Sequence, residues 1–191
     1  MLLNEAGLVR AIKKAYKSLG YTVSNRDGKV AVYTQMWYFQ TKREAMPRKV
    51  LAAIVEHMGM IPDGEPVFIV KDGEPQTILA ETAAEDMNYW RIGERGDCVD
   101  MVPVIMQGFQ IFQAPSAACW GIPLSCLSMI ERDAAEHYGA VVVDDERLVW
   151  DEDMEAIAIK AVRKAKSGWS KAWEKAVWEA LESVDLHKED E

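Results

Sequence analysis

The chain has 191 residues, of which 49% are hydrophobic, and its formal net charge is −9. This length fits one domain, or one domain with an appendage, and the apolar content is sufficient for a core. The negative charge disfavours direct binding to nucleic acid and favours a protein partner with a basic surface. No stretch approaches the roughly 18 consecutive apolar residues of a membrane-spanning helix, so we expect no membrane insertion.

The N-terminal segment lacks the short apolar block and the small-residue cleavage site of a secretory signal, so we expect it to form a helix. The three cysteines, Cys98, Cys119 and Cys126, are an odd number and contain no CxxC pair. That pattern argues against a disulfide framework and against a zinc site. The sequence therefore predicts a protein of the reducing cytoplasm.

The first predicted element is a helix over residues 2–19, where apolar side chains recur three or four positions apart and Gly20 supplies the stop. The basic residues of this helix gather on its surface, and a solvated helix face is the preferred interpretation. They are Arg10, Lys13, Lys14 and Lys17.

Two β-hairpins are predicted from alternating apolar residues around Asp-Gly steps. The first turns at Asp27-Gly28, and its second strand is expected to continue through Phe39. The second turns at Asp72-Gly73. Three further helices are predicted, over residues 47–59, 82–90 and 123–139.

The remaining strands are predicted at 99–106, 109–113, 140–143 and 147–150. Pro103 places the first of them at a sheet edge or a bulge, because proline donates no hydrogen bond to a neighbouring strand. These elements predict a single compact α+β domain over residues 1–150, in which antiparallel hairpins pack with helices.

A charge reversal marks the C-terminal quarter of the chain. Residues 144–155 hold seven acids and one arginine, whereas residues 156–173 hold five bases and no acid. This order suits the dipole of a long amphipathic helix over residues 151–187, followed by a charged tail at 188–191. At ~1.5 Å per residue such a helix would be roughly 45–50 Å long, so it would project, pack on another subunit or bend at Gly168.

The predicted helix carries aromatic residues on two faces. Its apolar face predicts self-association as a homodimer, and the interface residues are Trp169, Trp173 and Val177. Trp178 falls on the opposite face beside lysines. It is expected either to make a local cation–π contact or to anchor a partner.

The acidic segment is the predicted partner-binding surface. Asp151, Glu152 and Asp153 would also cap the final helix. Asp144, Asp145 and Glu146 have no predicted structural role beyond forming a turn, so we assign them to partner binding as well.

One short pattern offers a catalytic alternative. Gln113, Cys119 and Trp120 have the spacing of the oxyanion-hole glutamine and the nucleophile in papain-like cysteine peptidases, which they resemble at three positions. The resemblance implies a hydrolase that uses Cys119. The sequence departs from the family at 115–118, where Pro-Ser-Ala-Ala replaces a glycine-rich approach, and no histidine follows in a strand. The competing interpretation is a buried structural cysteine without activity.

No metal or cofactor site is predicted. The spacing of His57, His137 and His187 does not suit a metal site, and the acid pairs do not fit a calcium-binding loop. No nucleotide-binding or zinc-hydrolase motif occurs. The leading hypothesis is a non-enzymatic protein-binding or inhibitory protein. A sharper version is that its acids imitate phosphates, by analogy with small acidic phage inhibitors of defence nucleases; the alternative is the cysteine hydrolase.

Overall fold

The computed structural model describes residues 2–79, 89–90, 93–137, 139–152, 154–163 and 172–186. Its strands are β1 Tyr21–Arg26, β2 Lys29–Tyr33, β3 Trp37–Lys42, β4 Val67–Ile69, β5 Gln76–Thr77, β6 Arg95–Met106, β7 Phe109–Gln113, β8 Cys119–Pro123, β9 Ala140–Val143, β10 Arg147–Asp151 and β11 Glu155–Lys160. Its helices are α1 Glu5–Tyr16, α2 Arg48–Met58, α3 Leu124–Leu127, α4 Arg132–His137 and α5 Ala172–Glu182, with a 3-10 turn at Arg43–Ala45.

The strands form one 11-stranded sheet in the order β5-β4-β1-β2-β3-β11-β10-β9-β6-β7-β8. Every pairing between the named strands is antiparallel. The helices α1 and α2 pack together, and α1 also contacts β1 and α3. The largest apolar cluster unites their buried side chains with those of the sheet, so the core lies on the helix-covered face.

The predicted fold class, an α+β domain of hairpins with a long C-terminal helix, is wrong. The predicted helix from residue 151 is replaced at its start by β11, which lies between β3 and β10 in the middle of the sheet. The segment Glu155–Lys160 alternates alanine and isoleucine, and its isoleucines Ile157 and Ile159 are fully buried in the core. β-branched residues favour a strand that is packed on one face.

The C-terminal helix is correspondingly short. The helix α5 has 11 residues. The predicted bend at Gly168 and the charged tail at 188–191 lie outside the described residues. The division into a domain at 1–150 and a separate C-terminal element stays a prediction.

Both predicted hairpins are confirmed, and their turns have the backbone that the Asp-Gly steps favour. Asp27 and Gly28 have φ values of 54° and 71°, and Asp72 has a φ of 63°. The first hairpin ends earlier than predicted, because the Thr34 hydroxyl accepts hydrogen bonds from the Met36 and Trp37 amides and turns the chain into β3.

The predicted helices are confirmed in part. The helix α2 ends at Met58, and the predicted stop Gly59 caps it in the left-handed conformation with a φ of 77°. The segment predicted as one helix over 123–139 is instead two short helices, α3 and α4, separated by a β-bridge between Ile130 and Leu3. Most of the helix predicted at 82–90 lies outside the described residues. The predicted irregularity near Pro103 is confirmed as a register shift between Met101 and Ile105.

Candidate functional site

The connection between β9 and β10 holds two of the predicted site residues in a tight turn. Asp144 and Asp145 have φ values of 50° and 57°. The Glu146 amide donates to the Val143 carbonyl at 3.1 Å and closes the turn. Aspartate tolerates the left-handed region better than most residues, which explains two successive aspartates at these positions.

Asp144 joins the turn to two other parts of the chain. Its carboxylate forms an ion pair with Arg147, whose side chain is 0% exposed. The same carboxylate accepts a hydrogen bond of 2.7 Å from the Glu94 amide. The Arg147 guanidinium lies 4.2 Å from the centre of the Tyr89 ring, so the buried cation is stabilised by a carboxylate and an aromatic face.

Asp145 makes an equivalent contact on the other side of the turn. Its carboxylate pairs with Arg163, and the Arg163 guanidinium lies 4.8 Å from the Trp120 ring centre. The Ala161 amide donates to the Glu146 carbonyl at 2.7 Å. The expectation that these three acidic residues have no structural role beyond a turn is therefore wrong. Asp144 connects the turn to Arg147 and to the Glu94 amide, whereas Asp145 and the Glu146 carbonyl connect it to the segment that follows β11.

An open groove of about 530 Å³ runs beside this turn, and we call it the acidic groove. Its charged lining residues are Glu94, Asp97, Asp144, Asp145 and Arg163. Glu94 and Asp97 are exposed, and Asp97 is 3.4 Å from the Ser116 hydroxyl. Among the described residues, the groove therefore presents four carboxylates and one guanidinium.

The other predicted acidic residues lie at the opposite end of β10. Asp151 pairs with Arg95 at 3.7 Å, and Asp151 and Glu152 line a different cavity of about 420 Å³. The predicted capping role is wrong, because Glu152 exchanges backbone hydrogen bonds with Glu155 in the β10–β11 turn instead of beginning a helix. Asp153 lies outside the described residues. The strand β10 thus divides the predicted acidic surface into two.

Trp178 is buried, which corrects the expectation that it lies exposed among lysines. It is 0% exposed, whereas Val177, predicted for the apolar face, is 39% exposed. Trp178 packs in an apolar cluster with Val102, Met106, Ile111 and Cys119. Trp178 is buried and Val177 exposed because α5 packs on the sheet as a short helix. A buried Trp178 is not available as a partner anchor.

The dimer interface was predicted from the length of the C-terminal helix, and the helix α5 is too short to support that reasoning. Trp169 and the side chain of Trp173 lie outside the described residues. Self-association stays a prediction.

Two of the three residues of the papain-like resemblance, Gln113 and Cys119, lie together. Gln113 Nε2 is 3.6 Å from Cys119 Sγ. The same amide group donates to the carbonyls of Leu181 and Val184 at 3.1 and 2.9 Å, and its oxygen accepts from the Leu186 amide at 2.8 Å. Gln113 therefore holds the end of α5 against β7.

The Cys119 thiol is in an apolar environment. Burial raises its pKa to about 11. Its hydrogen-bonding contacts within the described part of the chain are the Gln113 amide and the Ala117 carbonyl. Those contacts include no base that could activate a thiol.

His57 lies in the last turn of α2, where its ring contacts residues of α1 and β1. Its ring stacks on Tyr16 with the ring centres 3.9 Å apart, and its Nδ1 is 3.0 Å from the Tyr21 hydroxyl. His187 and the side chain of His137 lie outside the described residues. Among the described residues, no group of three or more potential metal ligands is found.

Sequence reasoning missed the residues that complete the acidic groove. Glu94 directly precedes β6 and Asp97 lies near its start, and β6 pairs with β9. Nothing local to 94–97 indicates that pairing. The ion pair between Asp144 and Arg147 had a visible signal, because opposite charges stand three residues apart at the end of a predicted strand.

No protein-family model and no curated protein matches this chain. One solved structure, from Eubacterium rectale, is described as a "Putative DNA polymerase III beta subunit" and is similar with a TM-score of 0.38 and 8% identity, over 92% of this chain and 67% of that chain. A likeness this low supports no inference about function. No helix in the described ranges is long and apolar enough to cross a membrane.

Proposed function

We propose that this chain is a non-enzymatic binding protein whose acidic groove takes a basic segment of a partner protein. The observation that carries the proposal is the described lining of the groove, where four carboxylates meet one guanidinium. Opposite charges across an interface speed association and select the partner.

The rigidity of the groove supports this function. Asp144 and Asp145 are fixed by a tight turn and by ion pairs with Arg147 and Arg163. A preorganised surface loses little conformational entropy when it binds. Glu94 and Asp97 are exposed, so their charge is available to a partner.

In the sharper form of the proposal, the basic segment that enters the acidic groove is the one with which the partner binds nucleic acid. The carboxylates of the acidic groove would then stand in for phosphates, and the chain would act as an inhibitor. The support for this form is the combination of fixed carboxylates and a net charge of −9.

Affinity capture from the source cells tests the proposal with matched variants. The double variant Glu94→Gln/Asp97→Asn removes two charges from the groove without disturbing the ion pairs. The control Glu65→Gln/Glu74→Gln removes two exposed charges near the opposite sheet edge, beside β4 and β5. We expect the groove variant to bind the captured partner about tenfold more weakly, equivalent to ~1.4 kcal/mol, and the control to bind normally.

Two outcomes separate the forms of the proposal. Competition of the captured partner by duplex or single-stranded DNA would support the phosphate-mimic form, whereas binding unaffected by DNA would restrict the proposal to a basic protein partner. Equal binding by the groove variant and the control at low salt would contradict the proposal altogether.

A further inference from the structure

A second groove, larger than the acidic one, lies at the end of the sheet where β1 begins and β2 ends. Its volume is about 760 Å³, and we call it the aromatic groove. The C-terminal half of α1, the β2–β3 turn and the start of α3 form its walls. Its aromatic lining residues include Tyr33, Trp37, Phe68, Tyr89 and Trp90.

The rim of the aromatic groove is apolar and open to solvent. Leu19 is 75% exposed and Met36 is 41% exposed. Both residues line the groove. Concave sites of this size with apolar walls and a few polar groups are typical of small-molecule binding.

The charge of the aromatic groove differs in sign from that of the whole chain. Among the described residues, its charged lining residues are Lys14 and Lys160, and none of the described carboxylates lines it. Within the described ranges neither ammonium belongs to an ion pair, whereas the neighbouring Lys13 pairs with Glu56 at 3.3 Å. Two cations that form no ion pair with any described residue, beside aromatic walls, complement a ligand with an apolar body and an anionic head.

We propose that the aromatic groove binds a free carboxylate amphiphile of the fatty-acid class. The apolar chain would lie along Trp37 and Phe68, and the carboxylate would meet the ammonium groups of Lys14 and Lys160. A free molecule fits better than a membrane headgroup because a chain with a net charge of −9 is repelled by anionic bilayers. This site is independent of the acidic groove and of the function proposed for it.

Calorimetric titration with three ligands of equal chain length tests the proposal. The ligands are decanoate, 1-decanol and decyltrimethylammonium. We expect decanoate to bind most tightly, decanol at least tenfold more weakly, and the cation most weakly. The double variant Lys14→Ala/Lys160→Ala should lose at least tenfold in affinity for decanoate, whereas Lys13→Ala should bind as the wild type does.

A filled groove gives a second test that does not depend on charge. Ala11 lines the groove and is half-buried, so Ala11→Trp should block decanoate while leaving the melting temperature similar. Equal affinity for decanoate and decyltrimethylammonium would overturn the proposal, as would absence of decanoate binding to the wild-type protein. Binding to phosphatidylglycerol vesicles without binding to free decanoate would also overturn it.

Discussion

At the scale of single residues, Trp178 attaches the C-terminal helix to the sheet. Its indole fills the apolar cluster formed by Val102, Met106, Ile111 and Cys119, and its ring nitrogen donates to Glu182 at 3.2 Å. A large side chain in such a position contributes through both buried area and packing.

Truncating this indole should be costly, because it leaves a cavity under α5. We expect Trp178→Ala to lower the free energy of unfolding by about 3–5 kcal/mol, measured by denaturant titration. The neighbouring Val177→Ala is the control and should change it by less than about 1 kcal/mol, since Val177 is 39% exposed. Similar effects of the two substitutions would mean that the indole is not packed on the sheet.

The cysteines should differ sharply in reactivity, because the thiolate is the reactive form. Cys98 is exposed, whereas Cys119 is buried with a pKa raised to about 11. We expect iodoacetamide at pH 8 to modify Cys98 rapidly and Cys119 only after denaturation, as measured by peptide mass spectrometry. Rapid alkylation of native Cys119 would instead favour the cysteine-hydrolase alternative.

His57 should make stability depend on pH. Burial lowers its pKa, so the unfolded chain, with a histidine pKa near 6.5, takes up the proton first as the pH falls. The stabilisation is therefore present above about pH 6.5 and is lost as the pH falls below that value towards the lowered pKa of the folded state.

Comparison with a variant isolates this effect from other titrating groups. We expect the wild type to lose more stability than His57→Gln between pH 7 and pH 5, as measured by thermal melts in matched buffers. Parallel pH profiles for the two proteins would show that the imidazole contributes nothing to the dependence.

At the scale of elements, the β9–β10 turn shows how two similar aspartates differ. The partner of Asp144 is the fully buried Arg147, whereas the partner of Asp145 is the partly exposed Arg163. Removing a charge opposite a buried cation is more costly than removing one from a solvated pair.

The two aspartates therefore give a matched pair of substitutions. We expect Asp144→Asn to destabilise the protein by about 1–3 kcal/mol and Asp145→Asn by less than about 1 kcal/mol, measured by denaturant titration. Asparagine also tolerates the left-handed backbone, so the turn itself is retained. Equal and negligible effects would show that Arg147 does not depend on Asp144.

Elements whose signals are local could be predicted from the sequence. The Asp27-Gly28 turn and the stop at Gly59 depend on positive φ values that few residues adopt, and both are present in the structure. The strand β11 could not be recognised because its alanines Ala156 and Ala158 also suit a helix, and alanine has the highest helix propensity. Its partner β3 stands more than one hundred residues earlier, and no local pattern carries that pairing.

The candidate site could likewise be predicted only where its signals are local. Asp144 and Asp145 were visible as an acidic pair at a turn, but their structural role required Arg147 and Arg163 to be placed around them. Trp178 was assigned to the solvent side because a helical wheel shows periodicity without showing which face meets the sheet.

At the scale of the whole molecule, both proposed surfaces depend on the position of β11. Lys160 at its end lines the aromatic groove, and the segment after it brings Arg163 to the acidic groove. β11 also holds the N-terminal segment, because the Glu155 carboxylate accepts hydrogen bonds from the Leu2 and Leu3 amides at 2.6 and 3.2 Å.

Native-state hydrogen exchange of residues 155–160 tests this arrangement most directly. Amides of a central strand exchange only when the whole domain unfolds, whereas amides of a projecting helix exchange by local opening. We expect these amides to share the free energy of opening of their neighbours in β3 and β10. Fast exchange of Ile157 and Ile159, with β3 still protected, would contradict the insertion of β11 and with it the geometry of both grooves.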